Sequence, residues 1–259
     1  MRAGALAGRI AVVTGGGSGI GAACAIALAQ SGADVALFLH QDDEGSEAVS
    51  AGIVAAGRRA IRVILDVGIE ADVESAFDTV RNALGVPDVL VNSAGLNMSG
   101  VPVVDMNITQ WDRLLRSDLT GSFLTSRRFV RDLRDKGASG AIVNITSIHA
   151  FVMREGGADY TVAKGGQANL TATMALECAS LSITVNAIAP GMVLTPMNAQ
   201  AADPDRRAEM ERSIPLGRAG RPEEVGRMAA FLASPDAAYI TGATIVIDGG
   251  LSLVMGQGA

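Results

Sequence analysis

Residues 160–164 read Tyr-Thr-Val-Ala-Lys, a phenol and an ammonium four positions apart. On a helix, residues i and i+4 lie on one face a turn apart, so both groups can share a pocket. A neighbouring cation favours phenolate. Free tyrosine titrates near about 10, and bringing it to about 7 takes roughly 4 kcal/mol of differential stabilisation. Lys164 is placed to supply part of that. A Tyr and a Lys at this spacing also arise often on ordinary helical surfaces, so the pair needs support from elsewhere. Ser147 ends the apolar run "AIVNITS" shortly before Tyr160 and offers a hydroxyl that could orient a substrate oxygen.

The elements that would carry these residues follow a regular rhythm. Strand-like runs occur at Ile10–Val13, Val35–Leu39, Ala60–Leu65, Val89–Val91, Ala141–Ile145, Ile183–Ala187 and Thr244–Ile247. Most are continuously apolar, as expected of strands covered on both faces. Helical patterns fill the gaps at Gly19–Ser31, Ser46–Ala56, Val73–Leu84, Thr109–Arg134, Ala163–Ser180 and Glu223–Leu232. This alternation predicts an α/β fold, a doubly wound parallel sheet with helices on both faces. No linker divides residues 1–259, so a single domain is expected. The segment 190–215 breaks the rhythm; it is either a partly helical connection or a lid over a pocket, and its departure from a strand's carboxyl end favours the lid.

The first strand runs into Thr14-Gly15-Gly16-Gly17-Ser18-Gly19-Ile20-Gly21, and a helix follows at once. Glycines 15, 19 and 21 permit a tight turn, and a phosphate can then approach the backbone and the helix N-terminus. In that place the loop, with Gly17, Ser18 and Ile20, predicts a dinucleotide site. A P-loop is excluded because no Gly-Lys-Ser/Thr follows.

The end of the second strand bears on which dinucleotide. Leu39 stands where an NAD site would carry a carboxylate, followed by His40 and Gln41. The missing acid leans toward NADP over NAD, although Asp42, Asp43 and Glu44 would repel a 2′-phosphate. Asp66 and Val67, after the third strand, are placed to meet adenine, with a capping or turn role for Asp66 as the alternative. Asn92, Ala94 and Gly95 follow the fourth strand, and strands one and four should be neighbours at the switch point, where a dinucleotide lies.

Composition narrows the partners. The chain is 49% apolar with 31 glycines, suited to a sizeable core and many turns. A net charge of −6 argues against nucleic acid, whose phosphates select basic faces. Cys24 and Cys178 read as small buried hydrophobes, and no Cys/His cluster has metal-ligand spacing. No apolar run reaches membrane-spanning length and no signal peptide is evident, so a cytoplasmic protein is expected.

Taken together, T-G-x-x-x-G-x-G at 14–21, N-x-A-G at 92–95, Ser147, Y-x-x-x-K at 160–164, Pro190-Gly191 and Asp248-Gly249-Gly250 resemble the short-chain dehydrogenase/reductase family. The likeness covers about Leu6 to Val254. It implies hydride transfer between nicotinamide C4 and a carbonyl or alcohol carbon. Tyr160 would be the acid/base, Lys164 would bind the nicotinamide ribose and acidify the phenol, and Ser147 would steady the substrate oxygen. Pro190, Gly191, Val193 and Thr195 would meet the carboxamide. The family usually carries Asn where this chain has Asp118, within Ser117-Asp118-Leu119-Thr120-Gly121; in relatives that residue helps hold a water of the proton relay. The resemblance also implies a homotetramer.

Within the family the chain is similar to bacterial glucose and related sugar or polyol enzymes, on Ser147-Ile148-His149, Gly165-Gly166, the segment from Thr195 to Val225 and the tail from Gly249. Ala150 stands where those enzymes tend to carry Glu, which removes a hydroxyl-binding carboxylate. His149 is a substrate contact or a structural histidine. Phe151, Val152, Met153, Met192, Val193, Leu194 and Met197 either line an apolar pocket or pack the lid down. A 3-oxoacyl thioester reductase is the enzymatic alternative, and a non-catalytic NADP-sensing regulator the alternative of another class.

Overall fold

The computed structural model describes residues 4–198 and 203–254. Its centre is one seven-stranded sheet: β1 (Ile10–Thr14), β2 (Asp34–Leu39), β3 (Ala60–Ile64), β4 (Val89–Asn92), β5 (Gly140–Ile145), β6 (Ile183–Pro190) and β7 (Thr244–Ile247). All pairs are parallel, in the order β3-β2-β1-β4-β5-β6-β7. The order reverses between β1 and β4, which is the topological switch point of a Rossmann sheet.

The helices are α1 (Gly19–Gln30), α2 (Glu44–Ala55), α3 (Glu70–Ala83), α4 (Ile108–Leu115), α5 (Gly121–Lys136), α6 (Ala158–Cys178), α7 (Pro204–Glu211), α8 (Pro222–Leu232) and α9 (Leu251–Val254). Two apolar cores result. One, between the sheet and α1 and α8, holds Cys24, Leu28, Leu37, Val225 and Ala229. The other holds Phe38, Phe77, Phe129, Leu133 and Met174, from β2, α3, α5 and α6. Gly226 lets α8 approach α1 closely: a Cβ there would lie 2.5 Å from the Ala23 carbonyl oxygen.

Five strands are buried almost throughout, but β3 and β7 are partly exposed. They are the sheet's edges, and cover on both faces thins there. Helix starts also differ from the sequence expectation. α2 starts at Glu44 because Asp43 caps it, accepting from Ser46 N while Ser46 Oγ accepts from Asp43 N. α6 starts at Ala158, five residues early, because Asp159 Oδ2 accepts from Ser99 N and Oδ1 from Tyr160 N. That puts Tyr160 in the helix's first turn.

The predicted helix over Thr109–Arg134 is two helices joined by a π-helical turn, Arg116–Thr120, with Asp118 at its centre. Such one-turn bulges aim a side chain that a regular helix would point elsewhere. The predicted lid contains α7, whose start Asp203 caps by accepting from Asp205 N and Arg206 N. A bridge pairs Val193 with Gly220 beside it. Residues 199–202 of that segment, and 255–259 of the tail, lie outside the described residues. Among the described residues no helix is long and apolar enough to cross a membrane.

Candidate active site

The floor of the site is the turn after β1. Gly15 and Gly19 adopt φ of 64° and 53°, in the left-handed region that favours glycine. A Cβ on Gly15 would stand 2.9 Å from Ala94 Cα, and one on Gly21 would fall 2.1 Å from the Gly15 carbonyl oxygen. The Thr14 hydroxyl accepts from Ser93 N at 3.0 Å and Ala94 N at 2.9 Å. The loops leaving β1 and β4 are therefore locked together. Ser18, the N-cap of α1, makes no side-chain cap, which leaves the first-turn amides for a ligand.

The opposite wall carries the titratable groups. Lys164 is buried; its Nζ donates to the Ile145 carbonyl at 3.2 Å and lies 3.1 Å from Asp118 Oδ2. The ammonium stands 5.5 Å from the centroid of the Tyr160 ring. Burial alone would lower the Lys164 ammonium, but the charges of Asp118 and Tyr160, with the Asp118 contact, hold it above the usual lysine value. Asp118 is fully buried, and its Oδ1 accepts from Leu96 N at 2.8 Å. The Asp118 Oδ2 has no well-angled hydrogen bond, so its contact with Lys164 is mainly Coulombic.

Ser147 follows β5 and caps a short 3₁₀ turn, Ile148–Ala150, its Oγ accepting from His149 N at 3.1 Å. The hydroxyl proton stays free to donate. His149 Nδ1 lies 2.8 Å from the Val152 carbonyl, which can only accept, so Nδ1 is assigned the proton and Nε2 is left as an acceptor. Its ring meets that of Tyr160 edge-on at 6.2 Å. The histidine thus has a structural bond and also faces the cleft.

One cleft of about 950 Å³ gathers these groups. Gly15, Ser18, Gly19, Ile20, Ala94 and Gly95 line one end. Asp118, Ser147, His149, Tyr160 and Lys164 line the middle, and Pro190, Gly191, Met192, Val193 and Thr195 cover the other side. Gly191 is needed where the chain passes Asp248: a Cβ there would lie 2.6 Å from the aspartate's Cβ.

Other expected residues stand elsewhere. Gly17 packs toward Leu39 and Ser46 rather than lining the cleft. Leu39 is buried, and His40 and Gln41 are exposed beyond it. Asp66 has a turn role, its Oδ1 accepting from Gly68 N at 2.8 Å, and Val67 packs against Gly121. Asn92 is buried within a polar network: its Nδ2 donates to Ser126 Oγ and Asn144 Oδ1, and its Oδ1 accepts from Thr125 Oγ1. The network continues through Thr171, Gln167 and Ser122 to the Asp118 carbonyl. Asn92 therefore holds β4 to β5 and α5, and it is not among the residues that line the cleft.

The cleft also contains residues with no sequence signal. Asn97, Met98 and Ser99 come from the loop after β4, Arg154 from the approach to α6 and Met210 from α7. These segments carry no motif, and only the fold brings them to one mouth. Asp159 had a signal of a kind, a carboxylate in the first turn of a helix.

Comparison with known proteins agrees with this geometry. Residues 15–252 match the family model described as Enoyl-(Acyl carrier protein) reductase. The chain is 40% identical over 252 residues to 3beta-hydroxysteroid dehydrogenase 1 of Eggerthella lenta, covering 97% of this chain and 96% of that one. It is 34% identical over 252 residues to glucose 1-dehydrogenase 2 of Bacillus subtilis, covering 97% and 98%. The crystal structure of acetoin dehydrogenase from Enterobacter cloacae superposes with a TM-score of 0.88 at 36% identity, covering 97% of this chain and 98% of that one. Sheet order, glycine turn and cleft together with these likenesses lead to one assignment: the chain belongs to the short-chain dehydrogenase/reductase family of oxidoreductases.

Proposed function

We propose that this protein is an NAD(P)-dependent alcohol dehydrogenase/carbonyl reductase acting on a secondary alcohol or ketone. The observation that carries the reading is that Ser147, Tyr160 and Lys164 line the same cleft as the glycine turn. A dinucleotide suits that floor, where Gly15 and Gly19 leave the backbone bare and the first amides of α1 are uncapped. When bound, the cofactor takes or supplies the hydride at its nicotinamide C4.

The protein's own groups handle the proton and the orientation. In oxidation Tyr160 Oη takes the alcohol proton, and in reduction it returns it to the carbonyl oxygen. Ser147 Oγ donates to that oxygen and holds it near the phenol. Lys164 keeps its charge beside the ring and offers donors to a ribose. The segment from Pro190 to Thr195 closes one side, with α7 as part of a lid over 190–215. We read residues 1–259 as one domain with Asp118 in the catalytic group.

The resemblance to glucose and sugar enzymes supports a sugar, polyol or related carbonyl substrate. The cleft surface favours the less polar members of that range. Met98, Met153, Met192, Met197 and Met210 all face it, a wall that adapts to bulky apolar rings, while Asn97, Ser99 and Asn198 leave polar partners for a hydroxyl. Reduction of a 3-oxoacyl thioester is the second reading, supported by 40% identity over 249 residues to the 3-oxoacyl-[acyl-carrier-protein] reductase of a Synechocystis strain.

For the cofactor, the absence of a carboxylate at Leu39 supports NADP(H) over NAD(H). The margin is small, because Arg62, the cation beside that strand end, is held by Asp42 at 2.8 Å and Glu47 at 3.4 Å. A cytoplasmic homotetramer completes the reading; exposed Phe123 on α5 and Leu176 on α6 would suit an interface between subunits.

A panel of aldoses, polyols, cyclic alcohols, ketones and 3-oxoacyl thioesters, read by cofactor absorbance with NAD and NADP in parallel, tests the proposal. Tyr160→Phe should lose roughly 10²–10⁴-fold in rate on any substrate found. Undiminished turnover by that variant would remove the assignment. Cofactor binding without turnover of any substrate would favour the NADP-sensing regulator.

A further inference from the structure

The ammonium of Lys164 does not stand alone beside Tyr160. Asp118 Oδ2 lies 3.1 Å from it, and the aspartate is fully buried. The carboxylate cannot withdraw. Leu96 N holds its Oδ1 at 2.8 Å, and Gly95 packs so closely that a Cβ there would lie 2.7 Å from Oδ2. The π turn at Arg116–Thr120 directs it inward.

Charge around the pair is otherwise sparse. The cleft segments 15–21, 93–99 and 190–198 contain no charged side chain. His149 faces Tyr160 but spends Nδ1 on the Val152 carbonyl. Asp159 is taken up by the amides of Ser99 and Tyr160, while Arg154 and Glu155 are exposed at the mouth. Of these groups Asp118 alone is in ionic contact with Lys164. Unit charges about 4 Å apart at an effective dielectric of about 20 interact by roughly 4 kcal/mol, so a carboxylate this near offsets much of the ammonium's field.

We propose that Asp118 is a built-in counter-charge to Lys164, so that Tyr160 parts with its proton less readily than it would beside an unpaired ammonium. The inference rests on the reading of Tyr160 as acid/base. Its consequence is a pH dependence: alcohol oxidation, which needs the phenolate, sets in at higher pH than it would beside an unpaired ammonium. Asp118 acts here through Lys164, as a positioning residue for charge.

The chain has two tyrosines, and Tyr239 is fully exposed. In Tyr239→Phe protein, tyrosinate absorbance therefore reports Tyr160 directly. Titration is compared with and without Asp118→Asn, within the pH range where circular dichroism is unchanged. The midpoint should fall by about one unit on removing the carboxylate, roughly tenfold in acid dissociation. A change of less than about a third of a unit, or a rise, overturns the proposal. Should Asp118→Asn fail to fold, Asp118→Ser must give the same fall, and an unmoved midpoint there overturns it equally. No substrate enters this measurement, so its failure leaves the dehydrogenase reading standing. Full turnover by Tyr160→Phe would remove that reading without moving the titration.

Discussion

The Thr14 hydroxyl accepts hydrogen bonds from the backbone amides of both Ser93 and Ala94, at 3.0 and 2.9 Å. One side chain thus joins the carboxyl ends of β1 and β4 at the point where the strand order reverses. Thr14→Val keeps the shape and removes the acceptor. With two amides left unpartnered, stability should fall by about 1–3 kcal/mol in urea denaturation, and cofactor should bind more weakly in a fluorescence titration. Unchanged cofactor affinity would mean the clamp does not shape the floor.

The glycine turn makes a sharper contrast. Gly21→Ala puts a methyl 2.1 Å from the Gly15 carbonyl oxygen, on backbone that cannot step aside. Loss of cofactor binding, or of folding, is expected. Gly57→Ala is the control: its φ is 75° but nothing lies within 4 Å. That change should cost only the backbone strain, about 1–2 kcal/mol, and leave turnover as it was.

Acid should cost stability at Asp34. Burial raises its carboxyl, but the backbone and side-chain hydrogen bonds from Arg59 and the charges of Arg58 and Arg59 bring it below the usual aspartate value. A group depressed in the folded state stabilises above its unfolded value, about 3.9, and that contribution is lost as pH falls through the folded one. Asp34→Asn should therefore be less stable than wild type at pH 7, with the gap closing in acid. Denaturation curves at several pH values, in which a constant gap would contradict the ion-pair account, measure this.

Cofactor choice should be tunable at Arg62. Its guanidinium is held by Asp42 and Glu47. Asp42→Asn with Glu47→Gln frees it to meet a 2′-phosphate. A charge-assisted contact is worth about 1.5–3 kcal/mol, so the ratio of kcat/KM for NADP over NAD should rise roughly ten- to a hundredfold. An unmoved ratio would place Arg62 outside the cofactor's reach.

Much of the sheet was legible because β1, β2, β4, β5 and β6 are buried on both faces and read as apolar runs. The glycine turn and the Tyr160–Lys164 pair were legible for another reason: local spacing defines them. Asn92 was not, since its partners Thr125, Ser126 and Asn144 are more than thirty residues away and only packing brings them to it. The start of α6 was missed because the amide bonded to Asp159 Oδ2 belongs to Ser99, a distant loop residue. Arg-Ser-Asp-Leu-Thr carries no Gly or Pro to mark a break in the helix at 116–120. The methionines of the cleft come from separate segments, and no pattern along the chain links them.

The bulge between α4 and α5 amounts to a change of phase in one rod. Each helical residue advances its side chain by about 100° around the axis, and a π turn admits one residue more than a regular turn. The rows of side chains on α5 are therefore rotated relative to those an unbroken helix would continue from α4. Deleting a single residue between Arg116 and Thr120 would bring the two helices back into step. Asp118 or the Ser122 that bonds its carbonyl would then swing off its partner, although neither had been substituted. The meeting of carboxylate and ammonium is in this sense recorded as an angle as well as a pair of residue types.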